Sequence, residues 1–145
     1  VANVDIRYSV SIRFWNGMPV DSRPVLGWMF GRGQNYSAKA TGDSLGLNAK
    51  GQLIFGNGQE TLTGKASAER WKWHHALLVR DGENVQVYLD DKLEISGKAK
   101  VPVPAETFFI GGNNSKQSSW EGRLDEAAVF DRALSEKEIK ALFSP

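Results

Sequence analysis

The sequence predicts an all-β protein: two antiparallel sheets stacked as a sandwich, with one short C-terminal helix. Three observations carry that prediction. Ile6, Tyr8, Val10, Ile12 and Phe14 alternate with Asp5, Arg7, Ser9, Ser11, Arg13 and Trp15. This period of two marks a strand with one buried and one solvated face. Asp81-Gly82 separates two apolar runs of strand length, Trp73 to Arg80 and Val85 to Asp90, which reads as a hairpin. The one convincing helix start is Ser135, with Glu138 three residues on in capping-box spacing. Many short strands with turn signals and a single terminal helix are packed most simply as two sheets.

The remaining elements follow in order. Pro19 and Pro24 bracket the loop that ends the first strand. Val25 to Arg32 reads as a second strand, with Leu26, Trp28 and Phe30 on one face. Leu45 and Leu47, then Leu53 and Phe55, sit on short strands around a turn at 48–51, and Leu62 marks a further strand. Leu93 to Ser96 follows an Asp90-Asp91 turn. Pro102 and Pro104 assign their segment to a loop or an edge, because proline has no amide hydrogen for a ladder. Phe108 to Ile110 and Arg123 to Phe130 are the last strands. Ile139, Leu142 and Phe143 share a helix face that can dock on the sandwich. The expected core is Tyr8, Val10, Ile12, Phe14, Leu26, Trp28, Phe30, Leu77, Val79, Val87, Leu89, Leu124 and Phe130.

Composition bounds the function. At 145 residues the chain supports one sizeable core and not two, so 1–145 is expected to be a single domain. Eighteen Lys and Arg against seventeen Asp and Glu give a net charge of +1, which creates no field favouring nucleic acid or anionic membrane. No apolar run is long enough to span a bilayer, so no membrane insertion is expected. Without cysteine, the fold has to rest on its core alone.

Two segments resemble a known family. Residues 73–82 read Trp-His-His-Ala-Leu-Leu-Val-Arg-Asp-Gly, and residues 85–91 read Val-Gln-Val-Tyr-Leu-Asp-Asp. Further on, the stretch from Gly122 to Phe143 contains Gly-Arg-Leu-Asp-Glu and then Ala-Leu-Ser-Glu-Lys-Glu-Ile. This is similar to the laminin G-like modules of the concanavalin A-like lectin/glucanase jelly rolls. Those carry a Trp-His-His-Val-Ala strand, an Asp-Gly turn, a Gly-x-Ile-Asp-Glu strand and an Ala-Leu-Ser-x-x-Glu-Ile helix. The resemblance implies a jelly-roll sandwich and a bacterial, extracellular, periplasmic or cell-surface setting within a multidomain chain. Family members usually have one more strand before the stretch that opens here, which suggests a domain excised from a larger protein. The likeness is weak for function, because one sandwich hosts many activities.

Catalytic chemistry is not visible. Related glucanases place Glu-x-Asp-x-x-Glu on one strand, which turns three carboxylates to one face. This chain has Glu121, Asp125 and Glu126; the first two share a parity and the third is expected to point the other way. The chain is therefore expected not to be an enzyme. His74 and His75 are adjacent in a strand and face opposite ways, so they cannot jointly hold a metal, and one of them is expected to pack beside Trp73 with its ring hydrogen-bonded. No cofactor is expected, with calcium as the one ion to weigh. Some family members bind it at the sandwich rim through oxygen ligands. Asp125 matches the family's Asp, and Asp43, Asn113 and Asn114 offer further oxygens.

Aromatic side chains are the other route to a ligand, since flat rings cover the C–H faces of sugars. Of five Trp, the reading assigns Trp73, Trp120 and Trp28 to packing. Trp15 falls on the polar face with Arg13 and Ser11; it is either an outward platform or a ring covered by a loop or the helix. Trp71, Tyr36 and Tyr88 are further outward candidates. The sequence thus points to a non-catalytic recognition module for a glycan, with Arg13, Trp15 and Tyr88 as ligand-binding residues. A structural module, or one that binds an extracellular protein and no small ligand, is the alternative.

Overall fold

The computed structural model describes residues 6–19, 26–33, 42–101, 107–112 and 119–145. Among the described residues ten strands and one helix follow each other: β1 (Arg7–Asn16), β2 (Gly27–Gly33), β3 (Ser44–Leu47), β4 (Gln52–Gly56), β5 (Thr61–Ser67), β6 (Trp73–Asp81), β7 (Asn84–Leu89), β8 (Lys92–Lys98), β9 (Thr107–Ile110), β10 (Gly122–Phe130) and α1 (Glu136–Phe143). They form two five-stranded sheets, ordered β10-β1-β6-β7-β8 and β5-β4-β3-β2-β9, antiparallel throughout. The predicted jelly-roll sandwich with its C-terminal helix is the observed fold. Pro24, Val25, Pro102 and Pro104 lie outside the described residues.

The even residues of β1 do face inward: Tyr8, Val10, Ile12 and Phe14 are fully buried against Phe30, Leu45, Leu47, Leu53 and Phe55 of the second sheet. Burial of each such side chain stabilises by roughly 1.5–3 kcal/mol. The odd residues are not all solvated, because the segment leading into α1 lies across them. Ser9 and Ser11 are buried; Leu134 N donates to Ser9 Oγ at 3.0 Å, and Ser9 Oγ donates to the Arg132 carbonyl at 2.9 Å.

Three expectations about the core change. Leu77 and Val79 are buried, but on the outer face of β6, in a second cluster with Leu134 and Ile139 beneath α1. Their even neighbours Ala76 and Leu78 face the sandwich. As the central strand of its sheet, with a helix outside, β6 is apolar on both faces, which erases the period-two signal. In β2 a bulge falls between Trp28 and Phe30. Met29 and Phe30 both turn inward, while Trp28 turns out and Leu26 is 43% exposed. Leu124 and Phe130 are half-buried at the rims of the two clusters.

Turn chemistry matches the ladder registers. Asp81 pairs with Asn84, leaving Gly82-Glu83 as a two-residue loop with φ of +59° at Gly82. Leu89 pairs with Lys92, and Asp90 and Asp91 both have positive φ, as a type I′ turn requires. At the other end Ser135 caps α1: its Oγ accepts from Glu138 N at 3.2 Å and Glu138 returns to the Ser135 backbone.

A polar knot joins the two sheets. Arg80, fully buried on β6, donates to both Asp43 carboxylate oxygens at 3.0 and 2.9 Å and to the carbonyls of Ala99 and Lys100. Tyr8 Oη donates to Asp43 at 2.8 Å. Burial, and then the Asp43 carboxylate, hold the Tyr8 hydroxyl well above its usual pKa, so it stays a donor.

Candidate functional site, an aromatic surface on the first sheet

Three indoles meet at one end of the outer face of the first sheet. Register places Trp15 on β1 opposite Trp73 on β6 and Arg123 on β10. The turn before β6 adds Trp71, whose ring centroid lies 5.2 Å from that of Trp15 at 53°. Trp71 is 59% exposed and Trp73 49%, while Trp15 is half-buried between its neighbours. The guanidinium of Arg70 sits 4.3 Å from the Trp71 ring centre and that of Arg123 5.2 Å from the Trp15 ring centre. Cations over indole faces hold the rings in place and set donors at their edges.

The turn that presents Trp71 is held from two sides. Trp71 has φ of +67°, unusual for a bulky residue. Buried Asn16 fixes it: its carbonyl accepts from Trp71 N at 2.9 Å, its N donates to the Lys72 carbonyl at 3.2 Å, and its Nδ2 donates to the Ala68 carbonyl at 2.8 Å. From beneath, His74 Nε2 lies 2.8 Å from the Glu69 carbonyl and its Nδ1 2.6 Å from Asp90 Oδ2. Both partners are acceptors, so the doubly protonated ring satisfies both. The Asp90 hydrogen bond raises the His74 pKa, against a smaller opposing effect of burial. Strain held at an exposed ring is the kind of feature functional sites carry.

The structure brings Arg13 and Trp15 together on this face and leaves Tyr88 elsewhere. Arg13 forms an exposed ion pair with Glu126, Nε to Oε2 2.7 Å. Tyr88 is on the same sheet, two strands over, against Phe143 of α1. It lines a separate hollow of about 670 Å³ with Glu136, Ile139 and Lys140. Sequence reasoning placed Trp73 in the core, yet it is half in solvent; its strand position follows the family pattern, but its parity is that of Trp15. Arg70, Arg123 and Asn16 were not singled out. The adjacency of Arg and Trp at 70–71 and the alternation Trp71, Trp73 are the sequence signals that mark them. Trp120 packs as read, edge-on to Phe14 with centroids 5.5 Å apart. Tyr36 lies outside the described residues.

The carboxylates behave differently from the strand-parity expectation. A bulge in the β1–β10 pairing, with Glu126 at φ +47°, swings Glu126 to the same outer face as Arg13. Glu126 is exposed and ion-paired, and Asp125 Oδ1 accepts from Glu126 N at 2.8 Å. His74 stacks on Phe14 in the core, and His75 faces the helix, with Nε2 2.6 Å from Ser11 Oγ and its ring centroid 4.6 Å from that of Phe143. Of the oxygens weighed for calcium, those of Asp43 are committed to Arg80 and Tyr8, Asp125 Oδ1 accepts from Glu126 N, and Asn113 and Asn114 lie outside the described residues. Among the described residues no group of three or more metal-ligating side chains is gathered.

Two five-stranded antiparallel sheets with a short C-terminal helix make a jelly-roll sandwich. Residues 2–140 match the laminin G-type description of the concanavalin A-like lectin/glucanases superfamily, and the chain belongs to that family. No relative is found among curated proteins. A mutant of Trypanosoma rangeli sialidase displaying trans-sialidase activity is similar over 96% of this chain, with 19% identity and a TM-score of 0.73. The match covers 23% of that sialidase, so the chain spans under a quarter of its length. The heptameric SAP-like pentraxin of Limulus polyphemus is 19% identical with a TM-score of 0.72, covering 96% of this chain and 70% of the pentraxin. Domain 4 of a Geobacillus stearothermophilus extracellular GH43 arabinanase, solved with arabinotriose, is 20% identical with a TM-score of 0.66, covering 96% and 67%. At these identities the likeness is one of fold.

Proposed function

We propose that the chain is a non-catalytic carbohydrate-binding module of a larger extracytoplasmic protein. Its glycan lies on the surface made by Trp15, Trp71 and Trp73. The observation that carries this reading is the pair of half-exposed indoles, held by Asn16 and His74 around a third ring. About half of Trp71 and Trp73 is left open to offer apolar surface to a sugar, while Arg70 over Trp71, Arg123 over Trp15 and the outward Arg13 supply donors to hydroxyls or a carboxylate. The arabinanase domain solved with arabinotriose supports a sugar as the ligand class.

A glycan array, probed with and without calcium, followed by calorimetry on the best binder, tests this. Trp71→Ala and Trp73→Ala are expected to weaken binding by about tenfold or more each, with the fold intact by circular dichroism. No binding across a broad panel would favour a module that contacts another protein through the same surface. Reducing-sugar release that disappears in Glu126→Gln would overturn the non-catalytic role.

A further inference from the structure

The opposite outer face of the sandwich, on the second sheet, carries a different feature. Trp28, turned outward by the β2 bulge, lies flat across the glycines of β3 and β4. A Cβ on Gly46 would stand 2.9 Å from Trp28 Cε3 and 2.2 Å from the Gly27 carbonyl oxygen, so only glycine lets the ring lie there. A Cβ on Gly56 would stand 3.4 Å from Trp28 Cη2. Beside the ring is a hollow of about 220 Å³ lined by Ser44, Gln59 and Thr61. That is below the range for drug-sized ligands and suits a single ring. Ser44 is only 4% exposed, and neither it nor Thr61 makes a side-chain hydrogen bond among the described residues. Among the described residues the lining carries no charged side chain.

We propose that this hollow is a second, independent binding site, for one ring of a neutral sugar, with Trp28 as its apolar wall and Ser44, Gln59 and Thr61 as its hydrogen-bonding groups. An indole face and hydroxyl or amide groups match the C–H faces and hydroxyls of a neutral sugar. A carboxylated or sulfated sugar would lose hydration here and meet no cation among the described lining residues. The aromatic surface on the first sheet differs in that respect, since guanidinium groups flank it. With one site on each outer face, a single module can hold two glycan chains at once.

The test follows the Trp28 indole N–H by NMR in the whole chain, assigned with Trp28→Phe. Arabinotriose, xylotriose and cellotriose are the neutral probes and trigalacturonate the acidic one. At least one neutral probe is expected to shift the Trp28 signal saturably, and trigalacturonate is expected not to. Ser44→Ala and Thr61→Val, neither of which needs the ring to move, are expected to weaken that binding about tenfold. Trp71→Ala is expected to leave it unchanged, which separates this site from the surface proposed above. No shift with any neutral probe, shifts unaffected by both hydroxyl deletions, or equal response to the acidic probe would each overturn the proposal.

Discussion

An arginine–carboxylate pair on the inner face of the first sheet and one on its outer face do opposite things. Arg80 points inward and meets Asp43 with no exposure on either side chain beyond 1%. Arg13 points outward and meets Glu126 with more than half of each side chain in water. Inside, the four hydrogen bonds of Arg80 leave it no freedom to do anything but tie the sheets together. Outside, solvent screens the pair and a ligand can replace Glu126 with little loss. The adjacent histidines repeat the contrast: His74 is inward and bound to a carboxylate, His75 outward against Phe143. Face, not residue type, decides which charged groups are available for recognition.

Breaking the inner pair gives the largest effect. Arg80→Ala removes both guanidinium hydrogen bonds from the buried Asp43 carboxylate, and is expected to cost about 3–5 kcal/mol in urea melts. Replacing both partners, as Arg80→Met with Asp43→Leu, is expected to cost much less than the single change, because no lone charge remains. A single substitution costing under about 1 kcal/mol would show that the knot does not join the sheets. Next comes the outer face's cover. Ile139→Ala is expected to cost about 2–5 kcal/mol by opening the cluster over Leu77 and Val79, and Ser135→Ala about 1 kcal/mol through the lost cap. Near-zero values for both would mean that α1 is not docked in solution.

Why β1 and α1 were legible in the sequence while half of the candidate site was not follows from the same contrast. A strand with one wet face writes its period directly, so Tyr8 through Phe14 were unambiguous. The capping box is a local motif, and Ser135 with Glu138 formed as spaced. The strand β6 is covered on both sides, so Leu77 and Val79 could not be assigned a face from apolarity. Bulges are invisible to a period count: one inverted Trp28 and another moved Glu126 to the Arg13 face. The buried role of Asp43 needed Arg80, 37 residues away, and the setting of Trp71 needed Asn16 and its turn.

The two histidines sharpen the comparison through pH. The Asp90 hydrogen bond raises the His74 pKa, so folding favours its charged form. That stabilisation is complete below the unfolded value of about 6.5 and is lost as pH rises through the folded pKa. The Asp90 pKa is lowered: its burial opposes this, but hydrogen bonds from His74 and from the His75 amide outweigh it. Its share is present above the unfolded value of about 3.9 and is lost as pH falls through the folded pKa. His75 behaves in the reverse sense to His74. Burial, then Arg13, lower its pKa, so its neutral form is favoured, and stability is lost as pH falls from about 6.5 through the folded value. His74→Gln is therefore expected to remove a stability loss on raising pH from 6 to 8, and His75→Gln to remove a gain over the same range. Identical pH profiles for the two variants would contradict the assignment of faces.

The smallest effect tests the strain at the aromatic surface. Trp71 at φ +67° has a backbone that glycine adopts freely and other residues adopt at a cost of about 1 kcal/mol. Trp71→Ala removes the contact with Trp15 and keeps the strain, so it is expected to destabilise by about 1 kcal/mol. Trp71→Gly removes both, and the two changes nearly cancel. The glycine variant is expected to be more stable than the alanine variant by about 1 kcal/mol, while both lose the binding that the indole supplies. Such a result would show that the fold bears the left-handed turn for the sake of an exposed ring. An alanine variant as stable as the glycine one would mean the turn relaxes, and that Asn16 does not hold Trp71 in place.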